Sequence, residues 1–332
     1  MFSYIKSILG RCAIAVLFLI GLLLNPAVGH SQVNRRLATE YLNRGTNEME
    51  AGNLDQALAH FDKAIELDHN YGAAYFSRGL VRKRQRDFEG AISDFTRSIQ
   101  LRPMAEAYLN RGATLKDKGD PDGAIVDYNK AIELNPDYAD AFYNRGIAKD
   151  EKGDLDGAMR DFTRSIEISP TNARAFVGRG FARMKKGDTE GAITDYSKGV
   201  ELNPRGFIGF YNRAFARKSK GDLDGAISDL SKALEINPTD VDALYERGVL
   251  LGAKGNLDGA LADYAKVIEL NPQHARAYAN RGMIMLLRKQ DAEAQKEFLK
   301  AIELDGSLKA DVEKSVGQIM KLRQQPVKQS PP

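Results

Sequence analysis

The chain has 332 residues, 43% of them hydrophobic and 28% charged, and 48 Lys and Arg against 45 Asp and Glu leave +3 with no basic block or acidic tail. That balance gives no electrostatic reason to expect a nucleic-acid partner, and the single cysteine, Cys12, excludes a disulfide or a cysteine-based zinc site from the remainder. Length alone suggests about two domains of ordinary size, an expectation that the spacing of the 30 glycines withdraws.

At the N-terminus, Lys6 and Arg11 stand before an unbroken apolar run over residues 13–24, and small residues follow at Ala27 and Gly29. This is the layout of a secretory signal peptide over residues 1–29, cleaved between 29 and 31, which predicts an exported, most simply periplasmic, protein. The alternative is a membrane anchor over residues 13–28, but Pro26 interrupts the run well before the roughly 20 apolar residues that a span needs. Cys12 precedes the run instead of ending it, the wrong position for a lipoprotein. Loss of Lys6 and Arg11 takes the mature chain to +1 and leaves it cysteine-free in an oxidising compartment.

After a short lead-in at 30–37, the sequence repeats with a period of 34 residues, interrupted once by a unit of 33. Eight units result: 38–71, 72–104, 105–138, 139–172, 173–206, 207–240, 241–274 and 275–308. Counting each unit from 1, position 4 is aromatic or Leu, position 8 is Gly except for Ala214, position 20 is always Ala, and position 24 is Phe, Tyr or Leu. Small residues at 8 and 20 let two helices approach closely, and large ones at 4 and 24 fill the space beside that contact. Each unit therefore reads as a helical hairpin.

The turns agree. Lys118, Lys152, Lys186, Lys220 and Lys254 favour the C-terminal end of a first helix, and the glycine after each suits a left-handed cap. Asp120, Asp154, Asp188 and Asp222 then suit the N-cap of a second helix, with Pro121 at the first helical position of one of them. Proline at position 32 ends six of the units. Beyond Leu308, Val312, Val316 and Ile319 share one helical face, which predicts a capping helix over 309–325, followed by a disordered tail at 326–332.

The recurring wording Tyr143-Asn144-Arg145-Gly146 and Asp122-Gly123-Ala124-Ile125 resembles bacterial tetratricopeptide repeats, and the resemblance covers residues 38–308. It implies an all-α fold, a right-handed α-solenoid of eight hairpins with a C-terminal capping helix. Departures fall in the end units, with His69 and Gly306 in place of proline and Lys289 in place of the turn glycine.

In that family the first helices line a concave groove, with positions 2, 5, 9, 12 and 13 facing a ligand. Carried over, positions 5 and 9 place Tyr143, Ile147, Phe181, Tyr211, Phe215, Tyr245 and Val249 in an apolar, aromatic strip, since a spacing of four keeps them on one helix face. Packing between hairpins, or a covering C-terminal helix, is the alternative use of these side chains. Asn110, Asn144 and Asn212 at position 6 suit either a peptide backbone or an inter-helix hydrogen bond. Arg at position 7 of all eight units invites an anion, but position 23 is acidic in seven, so a repeated Arg–carboxylate pair accounts for both. His60 replaces that acid in the first unit and leaves Arg44 without an evident carboxylate.

The chaperone-binding clamp of the family needs Lys at 5 and Asn at 9; neither is present. No catalytic motif, metal-ligand spacing or cofactor signature appears, and no segment is left over to house a catalytic domain. The sequence therefore predicts a non-enzymatic scaffold without metal or cofactor that binds a peptide or helix of an envelope protein. Any membrane contact would run through an uncleaved N-terminus. A structural spacer, a self-associating subunit, or an accessory subunit of an envelope enzyme or secretion complex remain as alternatives, and the oligomeric state is open. N-terminal sequencing of the exported protein is expected to begin between residues 30 and 32; a start at Met1 would establish the anchor.

Overall fold

The computed structural model describes residues 26–324, so most of the expected signal peptide, up to residue 25, and the expected tail at 326–332 lie outside the described residues. Seventeen α-helices and one 3-10 turn are present among them, with no strand. They fall into two compact units, residues 1–168 and 169–332.

The first unit holds four hairpins: α1 (Pro26–Glu50) with α2 (Leu54–Leu67), α3 (Gly72–Arg84) with α4 (Phe88–Leu101), α5 (Ala105–Lys118) with α6 (Pro121–Leu134), and α7 (Ala139–Glu151) with α8 (Leu155–Ile168). The second holds α9 (Ala173–Lys185) with α10 (Thr189–Leu202), α11 (Phe207–Ser219) with α12 (Leu223–Ile236), α13 (Val241–Ala253) with α14 (Leu257–Leu270), and α15 (Ala275–Leu287) with α16 (Asp291–Leu304). The turn Gly306–Leu308 and α17 (Lys309–Gln324) follow. Within each unit a helix packs most closely on its hairpin partner and next on the hairpin after it, the nearest-neighbour arrangement of an α-solenoid. Residues 30–37 are helical, because α1 runs unbroken from Pro26 into the first hairpin.

The hairpin contact follows the repeat. All eight position-20 alanines are fully buried, and the position-24 side chains, from Phe61 to Phe298, are at most 4% exposed. Each position-24 ring packs against a position-8 glycine: a Cβ built on Gly45, Gly79, Gly112, Gly146, Gly180, Gly248 or Gly282 would stand 2.6–2.9 Å from a ring carbon. The exception explains itself. Ala214 is the one non-glycine at position 8, and Leu230 is the one non-aromatic at position 24, in the same hairpin. The shorter Leu leaves room for the methyl.

The turns behave as their chemistry requires. Asp87, Asp120, Asp154, Asp188 and Asp222 accept a hydrogen bond from the backbone N–H three residues on, at 2.9–3.0 Å, and Asn256 does the same for α14. Position 15 is left-handed in every hairpin, including the two where no glycine stands there: Arg86 (φ 66°) and Lys289 (φ 62°) adopt it at a cost of about 1–2 kcal/mol each.

Replacing Gly180 by Ala is expected to destabilise the protein by about 1–3 kcal/mol through overpacking against Tyr196. Adding Tyr196→Leu should recover most of that loss, as Leu230 does for Ala214. Urea unfolding of the four-member cycle measures the coupling, and simple additivity would refute this account of the contact.

Candidate functional site

The arginine ladder is the first candidate. Arg78, Arg111, Arg145, Arg179, Arg213, Arg247 and Arg281 each present Nε and Nη2 to both oxygens of the carboxylate sixteen residues later, at 2.6–2.9 Å. The six aspartates in this set are at most 4% exposed. The third nitrogen, Nη1, reaches back to the preceding hairpin: Arg78 to Asp62 (2.6 Å), Arg111 to Thr96 (3.0 Å), Arg145 to Asn129 (2.6 Å), Arg213 to Ser197 (3.1 Å) and Arg247 to Ser231 (3.2 Å). The hydrogen bond to Asp127 holds the Arg111 guanidinium above its ordinary pKa in spite of burial, and Asp263 does so for Arg247. With Nε and Nη2 of all seven on a carboxylate and Nη1 of five reaching the preceding hairpin of the same unit, the ladder is engaged with internal partners and has little capacity left for an anion.

A second cation that sequence reasoning missed joins four of these pairs. Arg82, Lys149, Arg183 and Arg217, one turn after the ladder arginine, reach the same carboxylates at 2.8–2.9 Å. The signal was the basic residue at position 11, four residues on and therefore on the same helix face. Arg44 is not without a partner: it bonds Glu40 at 2.6 Å on its own helix, in an exposed position.

The other candidate is the face of the first helices carrying positions 2, 5, 9, 12 and 13. In the first unit it is mixed, with Leu42, Phe76, Leu80, Leu109, Tyr143 and Ile147 at positions 5 and 9 and mostly charged residues at 12 and 13. Tyr143, Ile147, Asn110 and Asn144 are half-buried there, with the Tyr143 ring 5.9 Å from Phe162 and the Asn110 amide bonded to the Glu106 carbonyl at 2.8 Å. Beside them a chain of charges runs Lys83–Asp117–Lys116–Glu151, with separations of 3.4–3.7 Å.

In the second unit the same face is aromatic. Phe207 stacks on Tyr211 (5.4 Å) and Tyr211 meets Phe215 (4.9 Å), so α11 carries one continuous row. Tyr245 on α13 lies 4.7 Å from His274, and its hydroxyl accepts a hydrogen bond from Asn280 at 3.2 Å. Burial, and then the charges of Asp242, Asp240 and Glu246, push the Tyr211 hydroxyl up to about 12, so it stays a neutral donor. Lys185 and Lys218 extend over the rings of Phe181 and Phe215 at 4.6 and 5.7 Å. Val249 and Asn212 are half-buried in this face, and the Asn212 amide bonds no described residue. The ten residues picked out by the sequence divide between the units: Asn110, Tyr143, Asn144 and Ile147 lie in the first, beside the charge chain, and the other six in the second, beside the ring row.

Only part of the last hairpin's face is covered. Val312, Val316 and Ile319 of α17 pack with Ala279, Met283 and Leu286 of α15, and Arg323 fixes the end of α17 to Asp291 at 2.8 Å.

Repeat models of one family match most of the chain: "TPR repeat" at 45–86, 112–149 and 216–255, and "Tetratricopeptide repeat" at 139–172, 173–205, 241–274 and 275–307. The chain belongs to the tetratricopeptide repeat family. A tetratricopeptide repeat protein from Parabacteroides merdae is similar in fold at 19% identity, with a TM-score of 0.57 over 75% of this chain and 99% of that one. PilF of Pseudomonas aeruginosa is similar at 17% identity and TM-score 0.57, over 63% and 96%. A MamA structure shares 30% identity at TM-score 0.47, over 50% and 96%. No curated protein matches the chain. The fold is that of a protein–protein interaction scaffold whose family members bind proteins or peptides. Among the described residues no helix is long and apolar enough to cross a membrane, and no three His, Cys, Asp or Glu side chains are grouped to hold a metal ion.

Truncating Arg247 to Ala leaves Asp263 buried without an ion pair and should cost about 3–5 kcal/mol. Arg213→Ala should cost less, because Arg217 still holds Asp229 at 2.8 Å. Urea titrations of the two variants give the comparison; equal losses would mean that the second cation does not share the carboxylate.

Proposed function

We propose that the protein is an exported, non-enzymatic scaffold that holds a segment of an envelope protein on the first-helix face of its second unit. The observation that carries this reading is where large apolar side chains are left in water. Ile208 (63% exposed), Leu287 (49%) and Phe181 (43%) occupy positions 2, 13 and 9 of that face. From Ala38 onward the first unit exposes no large apolar residue at these positions; its Val126 and Leu134 stand on the second helix of a hairpin. Exposed apolar groups on the same helix face as half-buried aromatic rings mark a surface that gains by losing water. The ladder arginines are engaged internally, so contact area rather than anion capture supplies affinity.

Support for export is the charged start, apolar run and small residues of positions 1–29. An envelope partner follows from that address.

Phe181→Ser together with Ile208→Ser removes two side chains that contribute little to the core. Crosslinking in cells is expected to show partner capture reduced roughly tenfold or more, with far-UV circular dichroism and the unfolding midpoint nearly unchanged. Capture at the original level by the folded variant would remove this face from the function.

A further inference from the structure

The structure itself shows what kind of element lies on this face. On α15, positions 5, 9 and 12 are Ala279, Met283 and Leu286, and α17 covers them with Val312, Val316 and Ile319. Ala279 and Leu286 are thereby only 8% and 4% exposed. Apart from the Arg323–Asp291 ion pair, α17 packs mainly on the first helix, α15, and little on the second, α16. The corresponding positions on α11 and α13 carry Tyr211, Phe215 and Lys218, and Tyr245, Val249 and Gly252, which stay half-exposed and which no helix covers among the described residues. The uncovered row is continuous with the covered one through the contacts of Tyr245 with His274, which caps α15, and with Asn280 in the middle of α15.

The chemistry of the row selects between an extended segment and a helix. An extended segment brings an unpaired N–H and C=O with every residue, and burying these against rings without partners is costly. Along α11 and α13 the side chains offering hydrogen bonds are few: among the described residues the Asn212 amide and the Tyr211 hydroxyl have no partner, whereas the Tyr245 hydroxyl is already bonded to Asn280 and Lys218 is held by Glu246 at 2.7 Å. Two such groups on one helix cannot serve the N–H and C=O of every residue in an extended segment. A helix satisfies its own backbone and presents only an apolar stripe.

We therefore propose that the partner segment is an amphipathic α-helix, with apolar side chains at i, i+4 and i+7 in the manner of Val312, Val316 and Ile319, that lies on α11 and α13 alongside α17. This rests on the reading of the face as a binding surface and adds the conformation and patterning of what binds.

Two labelled synthetic peptides of identical composition test it against the whole chain: one with leucines at i, i+4, i+7 and i+11, the other with the same leucines alternating with polar residues. The first is expected to bind roughly tenfold or more tightly than the second, to gain helical circular dichroism on binding, and to lose binding to the Phe181→Ser, Ile208→Ser variant. Equal or tighter binding of the alternating peptide would overturn the helix while leaving the face as a binding surface. If neither peptide binds, the surface reading falls as well. A chain that sediments as a dimer, and becomes a monomer on Phe181→Ser with Ile208→Ser, would make a second copy the occupant and overturn the partner helix.

Discussion

Everything in the molecule depends on how closely the two helices of a hairpin approach where a bare glycine meets an aromatic ring. The Cβ sites of the position-8 glycines stand under 3 Å from ring carbons, so a methyl there forces the helices apart unless the ring is replaced, as the Ala214 and Leu230 pair shows. Burying the ring on one side of the first helix fixes that helix's rotation about its axis. The rotation, in turn, decides which residues are turned outward at positions 2, 5, 9, 12 and 13. The candidate site is thus the reverse side of the packing contact.

The arginine ladder acts on the next level. Its bidentate pair closes a hairpin, and its remaining nitrogen reaches the hairpin before it, so one side chain specifies both intra- and inter-hairpin geometry. Buried ion pairs contribute little net stability compared with apolar packing, yet a broken one is costly. The ladder therefore penalises a misregistered stack more than it stabilises the correct one. Where position 11 is also basic, as at Arg82 and Arg217, the carboxylate is shared and the lock is doubled.

Much of this was legible in residue spacing. Period, hairpins, caps and the Arg–carboxylate pairing all follow from local chemistry repeated eight times, because a repeat displays each constraint many times over. Three features escaped, the first being the second cation at position 11 that shares four of the carboxylates. Arg44 has its acid on its own helix, at Glu40, and not at position 23 where the other seven units carry theirs. The apolar strip, read as running from Tyr143 to Val249, has different charged neighbours in the two units: positions 12 and 13 bring the linked charges Lys116, Asp117 and Glu151 up beside it in the first, and only the cations Lys185 and Lys218, laid over its rings, in the second.

The sequence by itself determined the architecture: nearest-neighbour packing of like units requires only local pattern, and local pattern is what a sequence carries. Only the tertiary structure decided how exposed each face residue is. Phe181 stands 43% in water and Leu286 only 4%, although both are large apolar residues at face positions of first helices. The difference lies in what covers them, since α17 lies over the last hairpin alone. Burial of that kind depends on where a distant helix comes to rest, and no residue pattern at positions 173–308 records it.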